Sequence, residues 1–192
     1  IALLRDGRPA IDPQGAQVGP YRTMVEAVAM RTTGLGGDSE VHFISEGLAG
    51  GVMLGPKRVL PVSLAAMDDA EVVHAALDTQ LKSTLPGEYD GRFVRKIPGY
   101  DQDGLAERDA VLFAKLSLNI KPMNDIVKSR LEAQALIRLV GRGLAQISAL
   151  TPSDASHVLG YTDAWDSGAA AKALLLFGRR RNGAGTILGE DE

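Results

Sequence analysis

The stretch Leu144-Ala-Gln-Ile-Ser-Ala-Leu150, followed by Thr151-Pro-Ser-Asp154, decides the fold class because it predicts a short strand directly before a helix start. The threonine hydroxyl can cap free N–H groups, the proline suits the first turn, and the aspartate favours the positive end of a helix. The predicted helix contains Ala155 to Leu159 and ends by Gly160. A strand followed at once by a helix places both kinds of element in one fold, in a chain whose overall order is strands, then helices.

Helical patterns lie on both sides of this stretch. Apolar residues at helical spacing predict helices from Val72 to Leu81, from Leu105 to Leu116 and from Met123 to Val140. Between the first two helices, the many turn formers of residues 87–104 predict an exposed segment around a short strand, Phe93 to Ile97. Downstream, a helix is expected from about Ala164 to Arg180. Its apolar centre, 169–177, indicates burial on most sides or a partner.

The beginning of the chain has a different character. Short apolar stretches separated by turns predict a small sheet with strands at Val25 to Thr33, Val41 to Ile44 and Arg58 to Ser63. We therefore expect a strand-rich part over residues 1–63 and a mainly helical part over residues 64–192. Within the latter, residues 105–150 resemble a winged helix-turn-helix in outline.

Charge and composition restrict the function. The 192 residues carry a formal net charge of -3, which gives no general attraction to nucleic acid or to anionic lipid. Cysteine is absent, so thiolate metal sites and cysteine nucleophiles are excluded. No apolar run approaches the roughly 20 residues that span a bilayer, and we expect a cytoplasmic protein without a membrane partner. A DNA-binding regulator that uses the winged-helix-like segment remains a minor alternative.

The glycine-rich run Arg31-Thr-Thr-Gly-Leu-Gly-Gly-Asp-Ser39 is the first candidate site. Glycines at the end of a strand allow backbone N–H groups to approach an anion, and Asp38 or Ser39 could bind a metal or a substrate hydrogen. The alternative is a tight turn between two strands. Neither a helix nor a lysine follows as in a phosphate-binding loop, so chemistry alone favours the turn.

The second candidate is the pair Asp154 and His157, which lie three residues apart on one predicted helix. The pair could act as a general base with its orienting group, or as two metal ligands. The favoured alternative is a helix-capping carboxylate beside a partly buried histidine. No comparable companions are close to His42 or His74 in the sequence. The cluster Arg179-Arg-Arg-Asn-Gly183 suits a helix end, or could bind a phosphate or an acidic partner.

Several stretches together resemble the hydantoinase A/oxoprolinase family. They occur in the family's order and cover nearly the whole chain. They are residues 15–28, the run 31–39, Gly55-Pro-Lys-Arg-Val-Leu-Pro61, residues 150–160 and Arg179-Arg-Arg-Asn182.

The resemblance implies an ATP-dependent enzyme that opens cyclic amides such as hydantoins or 5-oxoproline, with a divalent metal, Mg or Mn. It implies an α/β fold, here a partial ribonuclease-H-like half of an actin-like ATPase. It also implies a nucleotide cleft lined by Gly34, Gly36, Gly37, Asp38 and Ser39. The catalytic candidates are Asp38 from this run and, from their spacing on a helix, Asp154 and His157.

The family's two phosphate loops do not occur in these 192 residues, and we expect the sequence to begin just after the second loop. ATP cleavage would then require a missing N-terminal half or a partner subunit, in a homo- or hetero-oligomer. The alternative is a non-catalytic subunit or scaffold of such a complex, for example of the carboxylase type.

Overall fold

The structure is a computed structural model that describes residues 4–15, 17–18, 21–23, 25–29, 35–44, 51–99, 103–181, 187 and 189. The chain divides into two compact units, Ile1–Gly34 and Leu35–Glu192. The candidate residues that the structure describes all lie in the second unit.

The first unit consists of short antiparallel strand pairs. They are β1 (Leu4–Arg5) with β2 (Arg8–Pro9), β3 (Ile11–Asp12) with β6 (Ala27–Val28), and β4 (Gln17–Val18) with β5 (Tyr21–Arg22). These strands pair two by two, so the expectation of one small sheet is wrong for the described residues. The predicted strand from Val25 is confirmed at Ala27–Val28, and its residues 30–33 lie outside the described ranges.

The second unit opens with a hairpin of β7 (Ser39–Ile44) and β8 (Gly51–Arg58), which confirms the predicted strand at Val41 to Ile44. β9 (Leu60–Pro61) follows, and α1 (Val62–Asp68) begins immediately after it. The predicted strand from Arg58 to Ser63 is therefore wrong at its last two residues. A helix can begin directly after Pro61 because the Asp154 carboxylate accepts the N–H groups of Val62 and Ser63, which would otherwise lack acceptors.

A four-stranded sheet forms the centre of this unit. β10 (Phe93–Lys96), β11 (Lys121–Pro122) and β12 (Ala145–Ala149) join β9 in the order β11-β10-β12-β9. The β12–β9 pair is parallel and the other pairs are antiparallel. The predicted strands at β10 and β12 are confirmed. The expectation that the segment around β10 is exposed is wrong for the strand itself, because it has a neighbour on each side and its first two residues are buried.

The helices confirm most of the sequence pattern. They are α2 (Ala70–Lys82), α3 (Glu107–Lys115), α4 (Met123–Ile126), α5 (Arg130–Gly141), α6 (Pro152–Val158) and α7 (Ser167–Gly178). The single helix expected from Met123 to Val140 is wrong, because Val127 is extended and the chain starts a new helix at Ser129. The Ser129 hydroxyl accepts the N–H of Glu132 at 3.3 Å, which is the N-cap interaction that serine favours.

The two faces of the central sheet pack against different helices. Phe93 lies in an apolar cluster with residues of α1, α2 and α7, whereas Val94 lies in a cluster with residues of α3, α4 and α5. Successive residues of a strand point to opposite faces, so one strand contributes to both cores. The second unit is therefore an α/β structure with helices on both faces of a mixed sheet. None of the helices in the described part of the chain is long and apolar enough to span a membrane.

Candidate functional site

The glycine-rich loop is a hydrogen-bonded turn where the structure describes it. The N–H of Gly36 donates to the Ser39 hydroxyl at 2.8 Å, and the N–H of Ser39 donates to the Gly36 carbonyl at 3.1 Å. Ser39 is fully buried. These two N–H groups are therefore used inside the turn and do not face an open cleft. The remaining candidate of this run, Gly34, lies outside the described residues.

The Asp38 carboxylate forms an ion pair with an arginine at the end of β8. Its Oδ1 accepts the Arg58 Nε–H at 3.0 Å, and the side chains are 40% and 70% exposed respectively. Its backbone carbonyl accepts the N–H of Val59 at 2.9 Å. This arrangement ties the turn to the end of β8, and an exposed pair of this kind contributes little to stability.

The loop lies against the start of α6. The Gly37 carbonyl accepts the Ser153 N–H at 2.9 Å, and a Cβ on Gly37 would lie only 2.6 Å from the Ser153 hydroxyl oxygen. A side chain at this position would have to displace that hydroxyl, so the close approach of the helix favours glycine.

Asp154 is the most heavily hydrogen-bonded of the candidates. It is completely buried. Its Oδ2 accepts the Thr151 N–H at 2.8 Å and the Thr151 hydroxyl at 2.7 Å, which completes a capping box at the start of α6.

The same carboxylate also accepts hydrogen bonds from the start of α1. Oδ1 of Asp154 accepts the Ser63 N–H at 2.8 Å and the Ser63 hydroxyl at 2.6 Å, while Oδ2 accepts the Val62 N–H at 3.3 Å. These N–H groups open α1, whose N-cap is Pro61 and offers no side-chain acceptor. One carboxylate therefore caps two helices, and its lone pairs are occupied.

His157 is also held by its neighbours. Its Nδ1 lies 2.7 Å from the Ser153 carbonyl oxygen, and its Nε2 accepts the backbone N–H of Trp165 at 3.0 Å. The ring is 5% exposed and stacks on the Trp165 ring with centroids 5.0 Å apart. These contacts require the neutral tautomer with the proton on Nδ1 and leave no ring nitrogen for a substrate proton. No hydrogen bond joins His157 to Asp154 in the described structure, so the two do not form a base with its orienting group.

Residues from three of the stretches that carry the family resemblance, 31–39, 55–61 and 150–160, are joined by hydrogen bonds near the start of α6, among them the bond from the Val59 N–H to the Asp38 carbonyl. Gly37 contacts Ser153, the N–H of Val41 donates to the Leu150 carbonyl at 2.9 Å, and Asp154 caps the helix that follows Pro61. Segments more than 90 residues apart in the chain thus share one set of hydrogen bonds. Their proximity could not be read from spacing along the sequence.

Sequence reasoning missed a polar network between α2 and α7. The His74 Nε2 lies 2.8 Å from Asp166 Oδ2, and its Nδ1 lies 3.1 Å from Lys172 Nζ. Lys172 in turn reaches Asp78 Oδ1 at 2.6 Å. The partners of His74 lie more than 90 residues away in the chain, and no local pattern indicates them.

Electrostatics within this network follow from its contacts. Burial acts to raise the pKa of Asp166, but the N–H of Ala169 and the contact with His74 outweigh it, so the pKa is lowered. The hydrogen bond from Lys172 lowers the pKa of Asp78. Both carboxylates are thereby kept ionised, and the network joins the N-cap of α7 to the side of α2.

Two arginines of the basic cluster at the end of α7 contact different regions of the second unit. Arg179 is the C-cap of α7, and its guanidinium donates to the carbonyls of Gln80, Leu81 and Ser83 at the end of α2. Arg179 therefore satisfies free carbonyl groups of a neighbouring helix. Arg180 turns to a different region, where its Nη2 donates to the Glu88 carbonyl at 3.1 Å.

Within the described ranges, no group of three or more histidine, aspartate or glutamate side chains is arranged to hold a metal ion. Comparison of the chain with protein-family models, with curated proteins and with solved structures found no match.

Proposed function

We propose that this chain forms a structural portion of an ATP-dependent cyclic-amide hydrolase of the hydantoinase/oxoprolinase type, within a ribonuclease-H-like half of an actin-like ATPase. The observation that supports the proposal is that three of the five family-like stretches, 31–39, 55–61 and 150–160, are joined near the start of α6. There, Gly37, Leu150 and Asp154 serve one hydrogen-bonded junction.

In this proposal the chemistry of ATP belongs to phosphate loops on other residues, in the same polypeptide or in a partner subunit. A divalent cation, Mg or Mn, would offset the phosphate charge there, and phosphorylation of the amide oxygen would make the ring carbon easier for water to attack. The residues of this chain have a structural role. Asp154 and His157 hold α1, α6 and the Trp165 segment in place, so they act as positioning residues and not as acid or base.

The experiment is an ATPase assay on the assembly that contains this chain, with and without hydantoin or 5-oxoproline. We expect stimulated ATP hydrolysis with at least one cyclic amide, and none from the 192 residues alone. The absence of stimulation by any cyclic amide would exclude this substrate class.

A variant of the same assembly tests the role of Asp38. The Asp38 carboxylate pairs with Arg58 at the surface and has no role in the chemistry in this proposal. Asp38→Asn should therefore leave the stimulated rate within about threefold of the parent rate. A loss of two orders of magnitude would instead assign Asp38 to the metal or the nucleotide.

A second candidate function is a non-catalytic subunit that docks on an ATP-binding partner through α7. Leu174 and Leu175 are 37% and 55% exposed on this apolar helix, and they border a cavity of about 540 Å³ with Val52 and Leu54. Co-purification with an ATP-binding subunit of the hydantoinase type tests this function. Leu175→Asp should abolish association, while Leu118→Asp, a change at an exposed leucine elsewhere, should preserve it. Equal association of both variants would exclude α7 as the docking surface.

A further inference from the structure

A small polar cavity in the second unit is not used by the proposed function. It lies between β7, the turn before β10, β12 and α7, and its volume is about 110 Å³. A cavity needs roughly 10–15 Å³ of such space to hold one water molecule, so this one has room for an ion of several heavy atoms. Its polar side chains are His42, Asp90, Arg92 and Arg180.

Arg92 is only partly neutralised. Its Nη1 lies 2.6 Å from Glu40 Oε1, and both side chains are mostly buried. Its Nε is buried and has no hydrogen-bond partner in the described structure. A buried N–H without an acceptor is costly, so this group favours an acceptor that comes within its reach.

Arg180 contributes a second cation. It donates to the Glu88 carbonyl, and no described carboxylate lies within 4.0 Å of its guanidinium. Burial and the repulsion from Arg92 lower the pKa of Arg180 more than the nearby carboxylates of Asp90 and Glu88 raise it. Two guanidinium groups therefore repel each other beside one cavity, and an anion between them would relieve the repulsion.

The remaining polar groups fit the same chemistry. Nδ1 of His42 is buried and lacks a partner among the described residues, so it can donate a hydrogen bond to an anion. Asp90 is the acidic group of the cavity, but its Oδ2 accepts the Gly87 N–H at 2.7 Å and its Oδ1 accepts the Asn124 amide at 3.1 Å. These bonds hold Asp90 in place, and its negative charge offsets part of the positive charge of the guanidinium groups.

We propose that this cavity binds a small oxyanion, a carboxylate or a phosphate group, between Arg92, Arg180 and His42. Guanidinium groups recognise both kinds of oxyanion through charge-assisted hydrogen bonds. Apolar neighbours such as Leu150 and Phe177 limit access of water and strengthen those bonds. The site does not depend on ATP or on a cyclic amide, so it stands apart from the proposed function.

The test uses the full 192-residue chain and two probes, inorganic phosphate and acetate, at constant ionic strength. Binding is followed by the ¹⁵N resonance of Arg92 Nε and by calorimetry. We expect a saturable shift of this resonance with at least one probe, and the responding probe identifies the source as phosphate or carboxylate. If neither probe shifts the Arg92 Nε resonance saturably, the proposal is wrong.

Matched variants locate the site. Arg180→Gln should weaken binding at least tenfold, and Arg180→Lys should weaken it less because the charge remains. Arg108→Gln removes the same charge from an exposed position on α3 and should change the affinity less than twofold. Equal weakening by Arg180→Gln and Arg108→Gln would show non-specific attraction and would overturn the proposal. The Arg92 Nε measurement needs no variant, so it decides even if Arg180→Gln fails to fold.

Discussion

At the scale of single residues, Asp154 and His157 show why a chemical pattern alone leaves the role of a residue open. Three-residue spacing on a helix suits both a reactive pair and a cap with a neighbouring buried ring. The capping signal at Thr151 to Asp154 was readable because its donors lie within one turn. The bonds from Asp154 to Ser63 were not readable, because they join positions 91 residues apart.

Asp154→Ala should strongly destabilise the chain. It leaves the N–H groups of Thr151, Ser63 and Val62 without their acceptor in a buried setting, and we expect a loss of about 3 kcal/mol or more in the free energy of unfolding. Urea denaturation followed by circular dichroism measures it. Asp163→Ala, at an exposed aspartate, should cost little. An unchanged unfolding curve for Asp154→Ala would reopen a catalytic role.

His157→Phe separates hydrogen bonding from ring stacking. Phenylalanine can still stack on Trp165, but the Ser153 carbonyl and the Trp165 N–H lose their partners, so we expect a loss of about 2 kcal/mol. His157→Ala should cost more, because it also removes the stacked ring. Urea unfolding gives both values, and near-ultraviolet circular dichroism of Trp165 reports the stack. Equal stability of the two variants would mean that stacking contributes nothing.

At the scale of elements, local signals predicted helices and strands alike, but they did not predict which elements become neighbours. The caps and apolar spacing of α2, α6 and α7 lie within the elements themselves, so the sequence contains most of what determines them. β10 is short, and its burial depends on β11 and β12, which follow it by about 30 and 50 residues. For the same reason the His74 network could not be predicted, since its members come from two helices far apart in the chain.

The α3–α5 pair gives a pH-dependent prediction. Arg138 donates to the buried Asp109 carboxylate from Nε at 3.0 Å and from Nη2 at 2.6 Å, and this contact lowers the pKa of Asp109. A lowered folded-state pKa stabilises the fold above the unfolded value of about 3.9, and this contribution is lost as the pH falls below it.

Asp109→Asn should therefore cost about 1 kcal/mol at pH 7, a modest value because Arg138 is half exposed. The difference between the parent and the variant should shrink as the pH is lowered from 5 towards 2. Urea unfolding across that range, at constant salt, measures it. A difference that stays constant with pH would mean that the charge of Asp109 contributes nothing.

At the scale of the whole molecule, the four-stranded sheet joins two apolar clusters in the second unit. Phe93 and Val94 are adjacent, yet each is buried in a different cluster. The sequence indicated the mixed α/β class through its strand and helix patterns. It did not indicate that helices cover both faces, because that depends on which strands become neighbours.

Leu77→Ala and Leu136→Ala test whether the two clusters unfold together. Both side chains are completely buried, one on each face, and each truncation should cost about 3 kcal/mol. If the sheet couples the faces, the fluorescence of Trp165 and the far-ultraviolet circular dichroism should report the same shifted urea midpoint in both variants. A Leu136→Ala protein whose fluorescence midpoint stays at the parent value would show that the two faces unfold separately.

The double cap made by Asp154 also has a consequence for the folding route. Its bonds to Val62 and Ser63 close a loop of about 90 residues, and closing such a loop costs entropy, so we expect these bonds to form late in folding. Such contacts are expected to be absent from the transition state. Loss of the carboxylate should therefore accelerate unfolding far more than it slows folding. This buried aspartate would then contribute mainly to the kinetic stability of the folded chain.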